Sequence, residues 1–326
     1  MVAIGLSSGA VARIRFAVSC LWEVAASLRV LRDPGEHAVH LSWARRVRPR
    51  LAEAGLIDTN VGLLWQLVPA APAYLPDFLT PPPTGLTPDL AGELAALRAT
   101  PPSVVREQLD LGPGRHVGVQ ADLYADPRAG LRRLAGEVEE YWRIALAPDW
   151  PRIRVLLDAE VSGRARRLAE DGAGGLLNDL HERVHWEGDT LRIVQRHCTA
   201  PDMPDGPGLV LVPSVFVWPS VLSVFAGEVP QLAYPARGLG TLWERAAATP
   251  DALAAVLGRG RAQLLTELAA PVSTTELARR TGMSPGGVSQ HLTALRAAGL
   301  VTTRRQGRML LSARTDLADA LVSAAG

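Results

Sequence analysis

The stretch that decides the reading runs from Ser273 to Arg314: STTELARRTG (273–282), MSPGGVSQHLTALRAAGL (283–300) and VTTRRQGRMLLSAR (301–314). Ser273 and Glu276 make an S-x-x-E capping box, which opens a helix with Leu277 and Ala278 turned inward. Gly282 closes that helix, and Ser284-Pro285 opens the next, Ser284 as N-cap and Pro285 in the first helical position. Val301 and Thr303 then alternate towards Arg304-Arg305-Gln306-Gly307-Arg308, and residues 309–312 return, which predicts strand, tight turn, strand. The order is two short helices followed by a hairpin.

At about 100° per residue, Val288, Leu292 and Leu295 share one face of the second helix and belong to a core. The opposite face is Gly286, Gln290, Thr293 and Ala297, with Ser289 at its margin. Small and hydrogen-bonding residues suit a helix whose N-terminal half enters a DNA major groove, Gln290 and Thr293 reaching base edges. Gly286 and Gly287 each cost about 1 kcal/mol of helix propensity; close approach to DNA would explain them, and so would surplus packing. His291 falls at the border of the core face, where the helical wheel favours a structural role beside the phosphate backbone. Arg304, Arg305 and Arg308 at the hairpin tip are expected to touch phosphates or the minor groove, a solvated basic turn being the plain alternative. Two helices and a wing in this order describe a winged helix-turn-helix.

Charge supports that division. The net charge of +1 over the 326 residues hides nine Arg against five acids from Asp251 to Gly326, leaving 25 Arg against 28 acids before it. Between Arg279 and Arg314 there are seven Arg and no acid, as a surface facing phosphates requires. The chain contains no Lys, so Arg enrichment alone carries less weight.

Length predicts two folding units, each with its own core. No apolar run reaches the roughly 18 residues of a membrane span, and residues 2–31 are interrupted by Arg13, Arg15, Glu23 and Arg29. With two cysteines, Cys20 and Cys198, and no signal peptide, the expectation is a cytoplasmic protein without a disulfide framework, cofactor or membrane partner.

Upstream, residues 10–31 place Val11, Ile14, Val18, Leu21, Trp22, Ala25 and Leu28 at helical spacing, stopped by Asp33-Pro34-Gly35. A second helix is expected over 38–53, its apolar positions Leu41, Ala44, Val47 and Leu51 and its solvated face Arg45, Arg46, Arg48 and Arg50. The Pro-rich segment 67–88 reads as ordered and extended, anchored by Trp65, Tyr74, Leu75, Phe78 and Leu79. Helices follow at about 88–99, 101–110, 127–146 and 150–170. A hairpin then places Val184 and Trp186 before a Gly188-Asp189 turn and Leu191 and Ile193 after it. Beyond it, Pro213 and Pro219 interrupt apolar strands, which favours edges. Residues 1–248 are therefore expected to be an α+β domain, a helical block plus a small antiparallel sheet at about 182–236, with residues 249–326 the winged helix. A helix over 253–269 brings Leu257, Leu264, Leu265 and Leu268 to its core.

The last 70 or so residues resemble the winged-helix domain of ArsR-type bacterial transcriptional regulators: VSQHLTALRAAGLV is similar to the recognition helix and its exit, and RRQGR to the wing. The opening, RFAVSCLWEVAASLRVLRDP, resembles long actinomycete members. The resemblance implies a homodimer on inverted-repeat double-stranded DNA, usually a repressor released by a signal. It makes Ser289, Gln290 and His291 the DNA-contacting positions, favouring His291 more than the helical wheel does. The helix before the recognition helix lacks the cysteine pair of metal-sensing members, so a small-molecule effector acting through residues 1–248 is expected.

His181-Glu182-Arg183-Val184-His185 fits H-E-x-x-H, but the turn at 186–189 denies it the continuing helix of a zinc hydrolase. A metal- or redox-sensing group of His181, His185, His197 and Cys198 across the hairpin remains the alternative.

Overall fold

Arg15 and Phe16 break what the spacing of residues 10–31 presents as one helix. The computed structural model describes residues 2–58, 60–112, 116–194, 208–224, 229–243, 251–306 and 309–324. Its first unit, Met1–Trp243, begins β1 (Val2–Gly5), α1 (Ser8–Ala12), β2 (Arg15–Phe16) and α2 (Cys20–Arg32). Arg15 and Phe16 pair in parallel with Val210 and Leu211, so tertiary pairing overrides the local helical period. Helix α2 restarts at Ser19, whose hydroxyl caps Trp22 N at 3.0 Å. It is buried from Cys20 to Leu31, on every face, as expected of a helix enclosed by others.

Around α2 lie α3 (Leu41–Glu53), α4 (Leu63–Leu67), α5 (Leu90–Arg98), α6 (Pro102–Asp110), α7 (Val119–Ala125), α8 (Pro127–Tyr141) and α9 (Trp150–Asn178). The expected helices stand at these places with small shifts. In α3 Trp43, Ala44, Val47 and Leu51 are buried and Leu41 half-buried, while Arg45, Arg46, Arg48 and Arg50 are exposed; Arg46 pairs with Asp149. Gly172, φ +70°, interrupts α9 close to the expected end at 170, and a second helical segment continues from there to Asn178. The Pro-rich segment is ordered and clamped by arginines of α2: Arg29 Nη2 donates to Ala73 O at 2.6 Å, and Arg32 donates to Val68 O and Trp65 O.

The strands are β3 (Val184–Glu187), β4 (Thr190–Ile193), β5 (Val210–Ser214), β6 (Leu222–Val224) and β7 (Gln231–Pro235). The hairpin stands where it is expected, and it pairs Val184 with Ile193 and Trp186 with Leu191 around Gly188 at φ +65°. The single small antiparallel sheet is corrected to two sheets. One is antiparallel, β1-β4-β3; the other is mixed, β2-β5-β7-β6, with β2, β5 and β7 parallel. Its central strands β5 and β7 are buried on both faces: Val210, Val212 and Ala233 enter the large helical core, and Leu211, Leu232 and Tyr234 a smaller core with Leu176, Val184 and Leu191. Continuous apolar runs belong to such doubly covered strands.

Pro213 is not at an edge, since β5 lies between β2 and β7. Leu209 O and Leu211 O accept from Arg15 N and Ala17 N on the β2 side, each at 3.0 Å, and Ser214 O accepts from Ala236 N at 2.9 Å on the β7 side. Alternation turns Pro213 towards β2, which has already ended at Phe16, so its missing N–H leaves no ladder bond unmade.

Two buried carboxylates tie α2 in place. Glu93 accepts from Ser19 Oγ, Cys20 N and Leu21 N at 2.5, 2.9 and 3.1 Å, satisfying the helix N-terminus. Glu23 accepts from Ser214 Oγ and Val215 N, both at 2.9 Å, at the end of β5. Burial pushes its pKa up to about 7. Trp243, the last described residue of the unit, donates from Nε1 to His40 Nδ1 at 2.8 Å and stacks on Trp43.

The second unit, Glu244–Gly326, is described from Asp251. The boundary expected at 248 falls in 244–250, outside the described residues. This unit contains α10 (Asp251–Leu257), α11 (Arg259–Glu267), β8 (Val272–Ser273), α12 (Thr274–Thr281), α13 (Pro285–Ala297), β9 (Val301–Gln306), β10 (Met309–Arg314) and α14 (Asp316–Ala324). The helix expected over 253–269 is divided at Gly258, φ +81°.

Candidate nucleic-acid interface

Helix α13 is placed by its caps and its apolar face. Ser284 Oγ accepts from Gly287 N at 3.1 Å, and Pro285 occupies the first turn. Val288, Leu292 and Leu295 are buried with Leu264, Leu265, Leu268 and Leu277; full burial stabilises each by about 1.5–3 kcal/mol relative to exposure. Gly282 ends α12 at φ +71°, so only residues 282–284 separate the two helices. Gly299, also at φ +71°, closes α13 and turns the chain into β9. The hairpin joins β8 in the order β8-β10-β9.

With this face fixed inward, Ser284, Gly286, Ser289, Gln290, Thr293 and Arg296 are exposed and His291 is half-buried. Ser289 and Gln290 stand side by side in the N-terminal half, next to Gly286. Thr293 is different: its hydroxyl donates to Ser289 O at 2.9 Å and accepts from Arg296 Nη2 at 3.0 Å. His291 faces the domain. A methyl group built on Gly260 would come within 3.0 Å of His291 Nε2, so the imidazole packs over the start of α11. Arg296 carries a contact-bearing guanidinium on this face that the sequence reading left out of the site; its i+7 spacing from Ser289 was the available signal.

In the wing, Arg304 lies opposite Leu311 and Arg305 opposite Leu310. Successive strand residues point to opposite faces, so the two arginines, both exposed, do not act from the same side of the ribbon. Arg308 lies outside the described residues.

Acids just beyond the 279–314 window neutralise part of its charge. Glu276 does not complete the capping box with its carboxylate: Ser273 Oγ accepts from Glu276 N at 3.3 Å, but the acid pairs with Arg279 at 2.7 Å and Arg280 at 2.8 Å. The Arg279 and Arg280 guanidiniums hold its pKa at about 2. Arg314 pairs with Asp319 at 2.8 Å and serves the hairpin base. Arg296 and Arg304 stand exposed on this part of the unit.

The metal alternative is not assembled by the described residues. His181 lies before β3, outside any helix, and both ring nitrogens are engaged, Nδ1 by Arg183 N and Nε2 on Pro219 O, each at 3.1 Å. His185 is exposed on β3, and His197 and Cys198 lie outside the described residues. Among the described residues no three His, Cys, Asp or Glu side chains come together to hold a metal ion.

Residues 259–304 match the family described as a helix-turn-helix domain, from the start of α11 into β9. No curated protein and no solved structure matches the chain. The segment is thus a helix-turn-helix domain, which implies DNA binding and points to transcriptional regulation; the strands after it form the wing. No helix among the described residues is long and apolar enough to cross a membrane.

Proposed function

We propose that the chain is a DNA-binding transcriptional regulator of ArsR type, acting as a homodimeric repressor on an inverted-repeat operator and controlled by a small-molecule effector through its first unit. One observation carries the reading: the exposed face of α13 presents Gly286, Ser289 and Gln290 with no acid among them, beside a wing bearing Arg304 and Arg305. Gln290, with two donors and an acceptor, reads base edges. Ser284, Gly286 and Ser289 allow close approach, Arg304, Arg305 and Arg308 meet the backbone, and His291 buttresses the helix at the margin of the contact. The protein binds and does not catalyse, and the cytoplasm is where its DNA partner is found.

Effector control is supported by the extent of the first unit, which has two cores of its own. This unit also has an open groove of about 350 Å3 lined by Leu63, Val119, Leu123 and Gly130 with Asp122, Asp126 and Arg133. Incubating the purified protein with fragmented genomic DNA of its source and sequencing what is retained tests the reading. Enrichment of a few sites sharing an inverted repeat is expected, and recovery of all fragments alike would contradict it.

A further inference from the structure

Resting on the DNA-binding reading, we infer that Arg296 is the phosphate anchor of the recognition helix and that Thr293 positions it instead of reading bases. The guanidinium is exposed yet held on its own helix, Nε donating to Leu292 O at 3.2 Å and Nη2 to Thr293 Oγ1 at 3.0 Å. The same hydroxyl donates to Ser289 O at 2.9 Å, so both its donor and an acceptor lone pair are in use. A threonine so engaged can donate to a base only by giving up its bond to Ser289 O. Holding a flexible arginine in one geometry is what those bonds achieve, and it lowers the entropy lost when a phosphate is bound.

Position along the helix agrees. From Gly286 to Arg296 the axial distance is about 15 Å at ~1.5 Å per residue, more than the ~12 Å width of a major groove. With the N-terminal half of α13 in the groove, as in helix-turn-helix docking, Arg296 reaches its wall, where the phosphates are. Of the acids that flank the 279–314 stretch, Glu276 is paired with Arg279 and Arg280, and Asp319 with Arg314. The competing account is that Arg296 merely complements the helix C-terminus, since it stands in the last turn of α13.

The full-length protein and its Arg296→Ala and Thr293→Val variants are titrated with a 30-base-pair mixed-sequence duplex across a salt series, with melting temperatures measured in parallel. Each is also used to select from a pool of duplexes with a randomised centre. Arg296→Ala should weaken mixed-sequence binding several-fold at 0.15 M salt and reduce the slope of log affinity against log salt by about 1. Thr293→Val should weaken binding less while selecting the same sequences as the wild type. An unchanged slope in Arg296→Ala, whatever its melting temperature, would overturn the anchor and leave the helix-end account. A different selected sequence for Thr293→Val would overturn the positioning role. If the wild type binds no duplex, the DNA-binding reading itself fails and this inference with it.

Discussion

Neighbouring residues of α13 are asked to do different things. Gln290 is exposed and unencumbered by the hydrogen bonds that engage Thr293 and Arg296, so Gln290→Ala should relax discrimination at one base pair by about 1–3 kcal/mol; a selected sequence identical to that of the wild type would refute this. His291→Ala should instead lower the melting temperature of the second unit and leave the selected sequence unchanged, because the ring packs against Gly260. Arg304 and Arg305 face opposite sides of the wing, so their single alanine variants should lose affinity unequally. Equal losses in a binding titration would contradict that geometry. At this scale the caps Ser273 and Ser284 and the core face Val288-Leu292-Leu295 were legible, since each depends on neighbours a few residues away. The bonds of Thr293 were not, because helical periodicity places a side chain on a face without saying what it holds.

Elements were legible where local chemistry decides them. Gly188 and Gly282, both at positive φ, mark turns and ends that only glycine adopts without cost; Gly282→Ala should destabilise the second unit by about 1–2 kcal/mol, read as a lowered melting temperature. The stretch 10–31 misled because β2 exists only through Val210 and Leu211, almost 200 residues away. Helix α12 carries a pH signature. The folded pKa of Glu276, about 2, lies below its ordinary value of 4.5, so its ion pairs support the fold above pH 4.5 and that support is lost as pH falls towards 2. The stability gap between the wild type and Glu276→Gln, followed by denaturant titration, should therefore narrow over that window; a gap that widens on acidification would have the wrong sign. The gap itself should be small, since exposed ion pairs contribute little.

Across the whole molecule, the division into a reader and a larger α+β unit followed from charge and pattern, whereas the parallel pairing of β2, β5 and β7 did not. Apolar runs reveal that strands are covered on both faces but not which strands are neighbours. Pro213 could be central only because β2 is two residues long, a fact of tertiary structure. The first unit has the opposite pH dependence from α12. Glu23, buried and raised from 4.5 to about 7, binds its proton more tightly folded than unfolded, so its contribution is full below pH 4.5 and declines as pH rises through 7. Glu23→Gln should flatten the stability of that unit between pH 4.5 and 7, as seen in denaturant midpoints; an unaltered pH profile would remove Glu23 from the account. The central claim, that the second unit brings an arginine-bearing surface onto DNA, is tested most directly by the salt dependence of duplex binding by the intact protein. A linear fall of log affinity with log salt, steeper than about −2 for Arg296 and the wing arginines that face the duplex, is predicted, and binding that is absent or indifferent to salt would contradict it.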